Sequence, residues 1–317
     1  MKIAIIDGVN QDIGLKILFP EADYYINNVE VNKNESLKKY NIVMKTDWEN
    51  INDKQYDYLF IIISLYDSKK GTKFYKQNIY NILHKELDII NNNNFKKIFV
   101  FDNYDYDYDP NDIINNNKIT LFFKRNYNKT KNYKKNVVPF PFIMFGEKSI
   151  IEKIEDNCIE NINNENIIKN RIFFSGSLFT HIDEEINYVR NRRKIYTELI
   201  RYIYNPGNLD YPNFIRTIKE SKFSLDLNGV GDPNKRSFEI LSQGFSLRIG
   251  EYNNLKWPFD ETFCNETIFK DSTDFKIKIN NLINDKDLYE KCLNIQNNIF
   301  KKYFNKKWIK EYILYYL

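Results

Sequence analysis

The chain is poor in the residues that build metal sites and disulfide scaffolds, with three cysteines and two histidines in 317 residues. Cys158, Cys264 and Cys292 are far apart and odd in number, which reads as reduced thiols in a cytoplasmic compartment. His84 and His181 stand alone, so a zinc site is not expected. Long hydrophobic runs are missing too. The longest, YLFIIISLY, falls well short of the ~20 residues that cross a bilayer, so it reads as a buried strand. MKIAIIDGVN lacks the charged-then-apolar pattern of a secretory signal, and without secretion the N-x-S/T matches at Asn34, Asn128 and Asn265 are discounted. One-signed charge is scarce: 47 basic residues against 43 acidic leave a net +4. Apart from the cluster KTKNYKK the basic residues are spread along the chain, which argues against nucleic acid but leaves room for a local phosphate pocket.

What is present is aromatic. Tyr and Phe number 24 each within a hydrophobic fraction of 42%, so the chain has the material for packed cores despite few alanines. Asparagine-rich runs such as IINNNNFKK and IENINNENIIKN reflect an AT-rich coding genome more than function. The length predicts two domains, of about 150 residues each.

The pattern supports that division. KIAIID ending at Asp7-Gly8, Tyr58 to Ser64, and KKIFVFD ending at Asp102 read as strands, with helical periodicity over LKILF and over Lys73 to Ile90. Strand, helix, strand is the grammar of a parallel α/β sheet, whose ligands bind beyond the carboxyl ends of the strands. Gly8, Asn10, Ser64 and Asp102 therefore mark the expected face of domain 1–150. LFFKRNY and NVVPFPFIMF add two shorter extended segments. Residues 151–170 read as a linker with a connecting helix. Domain 151–317 then restarts: strand RIFFSGS, a charged helix from Glu185 to Tyr204, strand SKFSLDLNG, a helix from Arg236 to Gln243, strand FSLRIGEY, and a terminal helix from Leu288 to Leu317 that packs back. Two such halves imply a central cleft between them.

LNGVGDPNKRSFEILSQG carries the chemistry. Walker A is excluded because no glycine precedes Lys235 and Pro233 has no amide to offer, and the dinucleotide fingerprint fails at Asn234. The remaining reading is a strand, a Gly turn, and a helix capped by Asp232 with Pro233 at its first position. Such a start offers free amides and a positive dipole end to an anion. Arg236 and Glu239 share a helix face, where a guanidinium reaches a diphosphate and a carboxylate a pair of ribose hydroxyls. The same spacing also suits a solvated salt bridge.

The stretch SKFSLDLNGVGDPNKRSFEILSQGFSLRIGEY resembles the donor-site region of GT-B glycosyltransferases, notably the exostosin-like and spore-coat-type sets, with a K-F-x-L-x-L strand, a Gly turn and an R-x-x-E helix start. FFSGSLF followed by RNRRKIYTEL resembles their phosphate-proximal Gly-Ser turn and Arg-bearing helix. The resemblance implies a GT-B-like α/β fold of two Rossmann-like domains. It assigns Arg236 to the donor diphosphate, Glu239 to the ribose, Gly176 and Ser177 to the diphosphate border, Asn228 and Gly229 to the donor sugar, and Ser237 to the same donor site. The family's extra Arg or His in the Gly turn is replaced here by Val230 and Asp232.

The activity so implied is a metal-independent hexosyltransferase that moves a sugar from a nucleotide-diphosphate donor to a glycan, protein or small-molecule acceptor, with no cofactor. Fixed positive groups, namely Arg236, the helix start and His181, stabilise the leaving diphosphate. Asp102 is the expected acceptor base, with Asp7 in reserve. Lys124 and Arg125 are candidates for the acceptor or phosphate side. Two alternatives stay open. DYDYDP, Asp105 to Pro110, has the D-x-D spacing that holds manganese or magnesium in GT-A transferases, and reads equally as a solvated acidic loop. A catalytically silent nucleotide-sugar binder would share the scaffold.

Overall fold

The computed structural model describes residues 1–7, 14–26, 44–45, 51–63, 88–102, 109–115, 118–142, 169–176, 178, 186–228, 235–251 and 253–317. These residues form two compact units. The first comprises Met1–Glu152, Asn254–Pro258 and Ile309–Leu317, and the second Lys153–Asn253 and Phe259–Trp308.

In the first unit a seven-stranded sheet runs β3 (Met44–Lys45), β2 (Asp23–Ile26), β1 (Ile3–Asp7), β4 (Tyr58–Ile63), β5 (Lys97–Asp102), β6 (Leu121–Lys124), β7 (Val137–Pro139). Every neighbouring pair is parallel. The order 3-2-1-4-5-6 is that of a dinucleotide-type Rossmann sheet, extended by one strand. Apolar runs such as YLFIII and KIFVFD are what a sheet covered on both faces requires, and all but the first residue of each is buried. One face stacks Phe60 on Phe99 and Phe101 on Phe123, with ring centroids 5.4 and 4.5 Å apart. Helices described here include α1 (Gly14–Leu18) and α2 (Asn111–Asn115).

The second unit holds β8 (Lys169–Phe173), α3 (Ile186–Leu199), β9 (Ile203–Tyr204), α4 (Tyr211–Lys219), β10 (Ser221–Asp226), α5 (Lys235–Gln243), β11 (Leu247–Glu251), β12 (Ile268–Phe269), α6 (Ser272–Asn284) and α7 (Lys286–Tyr303). Its parallel sheet runs β12-β11-β10-β8-β9. Numbered within the unit, that is the doubly wound order 2-1-3-4-5, which reverses direction between β8 and β10.

Several elements differ from the sequence expectation. The charged helix ends at Leu199 rather than Tyr204, because the chain turns to place Ile203 and Tyr204 beside β8 as an edge strand. β8 begins at Lys169, inside the span read as linker. Helix α4 follows an unremarked signal: Asp210 caps it by accepting from the Asn213 amide at 2.9 Å, and Pro212 occupies its first turn. The terminal helix is two. α7 stops at Tyr303, and α8 (Lys306–Leu314) starts after Asn305, whose side-chain oxygen accepts from the Trp308 amide at 2.9 Å. The tail returns to the first unit as expected, where the Tyr312 hydroxyl donates to the Pro139 carbonyl at 2.9 Å and the Lys97 ammonium to Leu317 at 2.7 Å. Cys264 and Cys292, expected as separate thiols, are paired as a disulfide beside the second core. Most of the helix read over Lys73 to Ile90 lies outside the described residues, as do Asp232 and Pro233. Among the described residues no helix is long and apolar enough to cross a membrane.

Candidate functional site

The carboxyl ends of β8, β10 and β11 converge at the point where the second sheet reverses order, the usual place for a ligand on such a sheet. After β8 the chain runs Phe174, Ser175, Gly176. Gly176 lies against Arg236 from the first turn of α5: a Cβ there would sit 2.5 Å from Nη1 and 2.6 Å from Nη2. The guanidinium lies over the Phe174 ring, 5.0 Å from its centroid. Cation–π attraction and backbone contact hold the group without consuming its donors. Its Nε is buried and makes no hydrogen bond among the described residues. Burial pushes the Arg236 pKa down, as does the neighbouring Arg192, while Asp226 and Glu239 pull it back up. Arginine side chains are not deprotonated in proteins, so the group is a cation.

The strand ends beside it are tightly bonded. Asp226 is 2% exposed and accepts from the Ser237 hydroxyl at 2.5 Å and from Arg248 Nε at 2.6 Å. The Asn228 carbonyl accepts from Arg192 Nε and Nη2 of α3 at 3.2 and 3.1 Å, and its amide donates to Glu251 at 3.0 Å. Both sides of the turn's first residue are thus gripped. Burial raises the Glu251 pKa above the ordinary glutamate range, against the lowering effects of the Asn228 amide and Arg192.

A cavity of about 410 Å³ opens here, lined by Arg192, Leu209, Tyr211, Phe214, Lys235, Arg236 and Glu239. One wall is apolar and aromatic, supplied by the start of α4. The other is charged: Glu239 is 7% exposed, with the Lys235 ammonium 3.7 Å from Oε1. Burial, followed by the Glu239 charge, pushes the Tyr211 phenol above its usual range, so it stays a neutral hydroxyl. A flat group, vicinal hydroxyls and an anion are the ligand features that such a lining accommodates.

The structure brings together Gly176, Asn228, Arg236, Ser237 and Glu239. Ser237 directs its hydroxyl to Asp226, and Asn228 engages through its backbone. In the first unit, Asp102 and Lys124 form a fully buried ion pair at 2.6 Å, and Arg125 is 3% exposed beside them in sequence. Asp7, at the end of β1, accepts from the Tyr24 hydroxyl. Gly8, Asn10, Ser64, Ser177, His181 and Gly229 lie outside the described residues, as do Asp105 and Asp107 of DYDYDP. Among the described residues no group of three or more His, Cys, Asp or Glu is arranged to hold a metal ion. Sequence reasoning missed Arg192, Tyr211, Phe214, Asp226 and Glu251. The signal for Tyr211 and Phe214 was the capped helix start at Asp210-Tyr211-Pro212, and for Asp226 an acid at the carboxyl end of a strand in a parallel sheet.

No family model and no curated protein sequence matches the chain. Among solved structures it is similar to T4 phage β-glucosyltransferase in complex with its UDP-glucose substrate, at 11% identity and a TM-score of 0.51 over 100% of this chain and 99% of that one. The same enzyme in complex with UDP and Mn2+ gives 12% identity and a TM-score of 0.50 over the same shares. UDP-GlcNAc 2-epimerase from Neisseria meningitidis superposes at a TM-score of 0.46, with 13% identity over 99% of this chain and 100% of that one. The likeness to the glucosyltransferase shows the fold: this chain is α/β and GT-B-like, built of two Rossmann-like domains.

Proposed function

We propose that the chain is a GT-B glycosyltransferase that binds a nucleotide-diphosphate sugar in the second unit and transfers the sugar without a metal. The observation that carries this reading is the shared cavity of Arg236 and Glu239, in which the buried Arg236 Nε has no protein partner among the described residues. Arg236 and Lys235 contact the diphosphate, Glu239 accepts from the ribose hydroxyls, and the base rests on Leu209, Tyr211 and Phe214. The UDP and UDP-glucose named for the T4 phage enzyme support a donor of this class. The R-x-x-E helix start, resembling exostosin-like and spore-coat-type transferases, supports the placement of the diphosphate.

As the sugar–phosphate bond breaks, negative charge grows on the diphosphate, and a fixed guanidinium in a partly desolvated site stabilises that charge more than it does the ground state. His181 belongs to the same side in this reading. Asp102 is assigned as the base that deprotonates the acceptor, with Lys124 fixing its carboxylate. A thermal-shift panel of nucleoside diphosphates and their sugars, with and without manganese, tests the reading on wild type, Arg236→Ala and Glu239→Ala. Stabilisation that both substitutions abolish is expected. No stabilisation of wild type defeats the proposal, strict dependence on manganese with indifference to both substitutions favours DYDYDP, and saturable binding without diphosphate release identifies a silent binder.

A further inference from the structure

Asp226 is not among the residues that line the cavity, yet its carboxylate accepts from Arg248 and is felt electrostatically by Arg236. β10 is flanked by β8 and β11, and a glycine beyond or near the end of each flanking strand makes room for a guanidinium. On the β8 side this is Gly176 under Arg236. On the β11 side it is Gly250, where a Cβ would come within 2.6 Å of Arg248 Nη1 and 2.8 Å of its Cζ. Gly250 is also the register partner of Asp226, so the missing side chain lets Arg248 cross its own strand and reach the carboxylate. Ser237, 2% exposed, completes the arrangement with a hydroxyl bond of 2.5 Å.

We propose that Asp226 is a positioning residue for the donor site: it pins the first turn of α5 through Ser237, with Arg248 as its fixed counter-ion, and so sets where Arg236 presents its guanidinium. The inference rests on the reading of Arg236 as a diphosphate contact. Ser237 follows Arg236 directly, so its bond to Asp226 ties the first turn of α5 to the end of β10. A buried ion pair adds little to stability compared with apolar packing of the same volume, whereas it specifies direction well. Asp226 meanwhile favours the charged form of Arg236.

The test uses the full chain, with UDP and ADP as probes in titration calorimetry, on wild type, Ser237→Ala, Ser237→Thr, Asp226→Asn and Arg236→Ala. Ser237→Ala is expected to weaken nucleoside-diphosphate affinity about tenfold, the usual worth of a hydrogen bond to a charged group, with a lowered melting temperature that still leaves the variant folded at the assay temperature. Ser237→Thr, which keeps the hydroxyl, restores affinity. Asp226→Asn is read alongside for folding, and the small Ser237 change decides the matter if that variant is unstable. If Arg236→Ala loses binding while Ser237→Ala binds as wild type, the positioning role is overturned and the donor site stands. If wild type binds neither probe, or Arg236→Ala binds as wild type, the donor-site reading falls and this inference with it.

Discussion

Gly176 and Arg236 meet backbone to guanidinium, at a distance that leaves no room for a methyl group. The contact joins two stretches sixty residues apart, the turn after β8 and the start of α5, at the point where the second sheet reverses order. A Gly turn in this place has a steric reason that needs no unusual backbone angle. Its missing side chain is the space in which the cation lies.

Gly176→Ala therefore separates binding from folding. The Cβ meets the far end of a flexible side chain, which swings away at small energetic cost, so stability changes by no more than about 1 kcal/mol. Diphosphate affinity falls about tenfold or more, because a charge displaced by an ångström no longer meets its partner. Chemical denaturation and calorimetry on the same sample check both halves, and unchanged affinity would remove Gly176 from the site.

Glu239 is expected to recognise ribose. Its carboxylate is buried at the cavity wall, with a lysine ammonium 3.7 Å away to balance its charge. Glu239→Gln keeps the shape and loses the charge, lowering affinity for a ribonucleoside diphosphate by about 1.5–3 kcal/mol, as for a hydrogen bond to a charged group. The 2′-deoxy analogue loses much less, so the ratio of the two affinities should collapse towards one in the variant. A ratio that stays at its wild-type value assigns the carboxylate to another task.

The architecture was legible because parallel sheets buried on both faces demand continuous apolar runs, and YLFIII and KIFVFD stand out from an asparagine-rich background. That Arg236 and Glu239 share a helix face was legible too, since i,i+3 spacing on a helix places two side chains together. The edge strand Ile203–Tyr204 was not, because two residues carry no periodicity and only pairing with β8 makes them a strand. Nor was the grip of Arg192 on Asn228, a contact between residues 36 apart that exists only once α3 lies along the sheet. Helix α7 ends at Tyr303 although apolar periodicity continues, because Asn305 offers the next helix a cap. The pairing of Cys264 with Cys292 likewise depends on tertiary approach rather than spacing.

Glu251 gives the fold a pH dependence of defined sign. Its folded pKa lies above the ordinary glutamate value because burial disfavours the carboxylate. Between the unfolded and folded values the native state holds the extra proton, so this group's contribution is fully present below the unfolded pKa and is lost as pH rises through the folded one. At neutral pH the ionised carboxylate is a net cost. Glu251→Gln retains an oxygen for the Asn228 amide and removes that cost, so it should melt above wild type at neutral pH and converge with it as pH falls into the acid range. Melting curves across that interval decide the sign, and an advantage that instead grew on acidification would contradict it.

The Asp102–Lys124 pair offers a test that distinguishes a structural from a catalytic acid. Both side chains are fully buried and 2.6 Å apart. Lys124→Met takes the ammonium from a buried carboxylate and should destabilise the first unit by about 3–5 kcal/mol. Replacing both partners, Asp102→Leu with Lys124→Met, removes the buried charge together with its counter-ion and should recover most of that loss, since an apolar pair of similar volume packs as well as an ion pair. The rescued double variant then isolates chemistry from folding. If Asp102 is the acceptor base, the double variant binds nucleoside diphosphate like wild type and transfers sugar at a rate reduced about 100-fold or more, the range spanned by general-base contributions. Wild-type transfer by a stable double variant would leave Asp102 with a purely structural role and move the search for the base to Asp7.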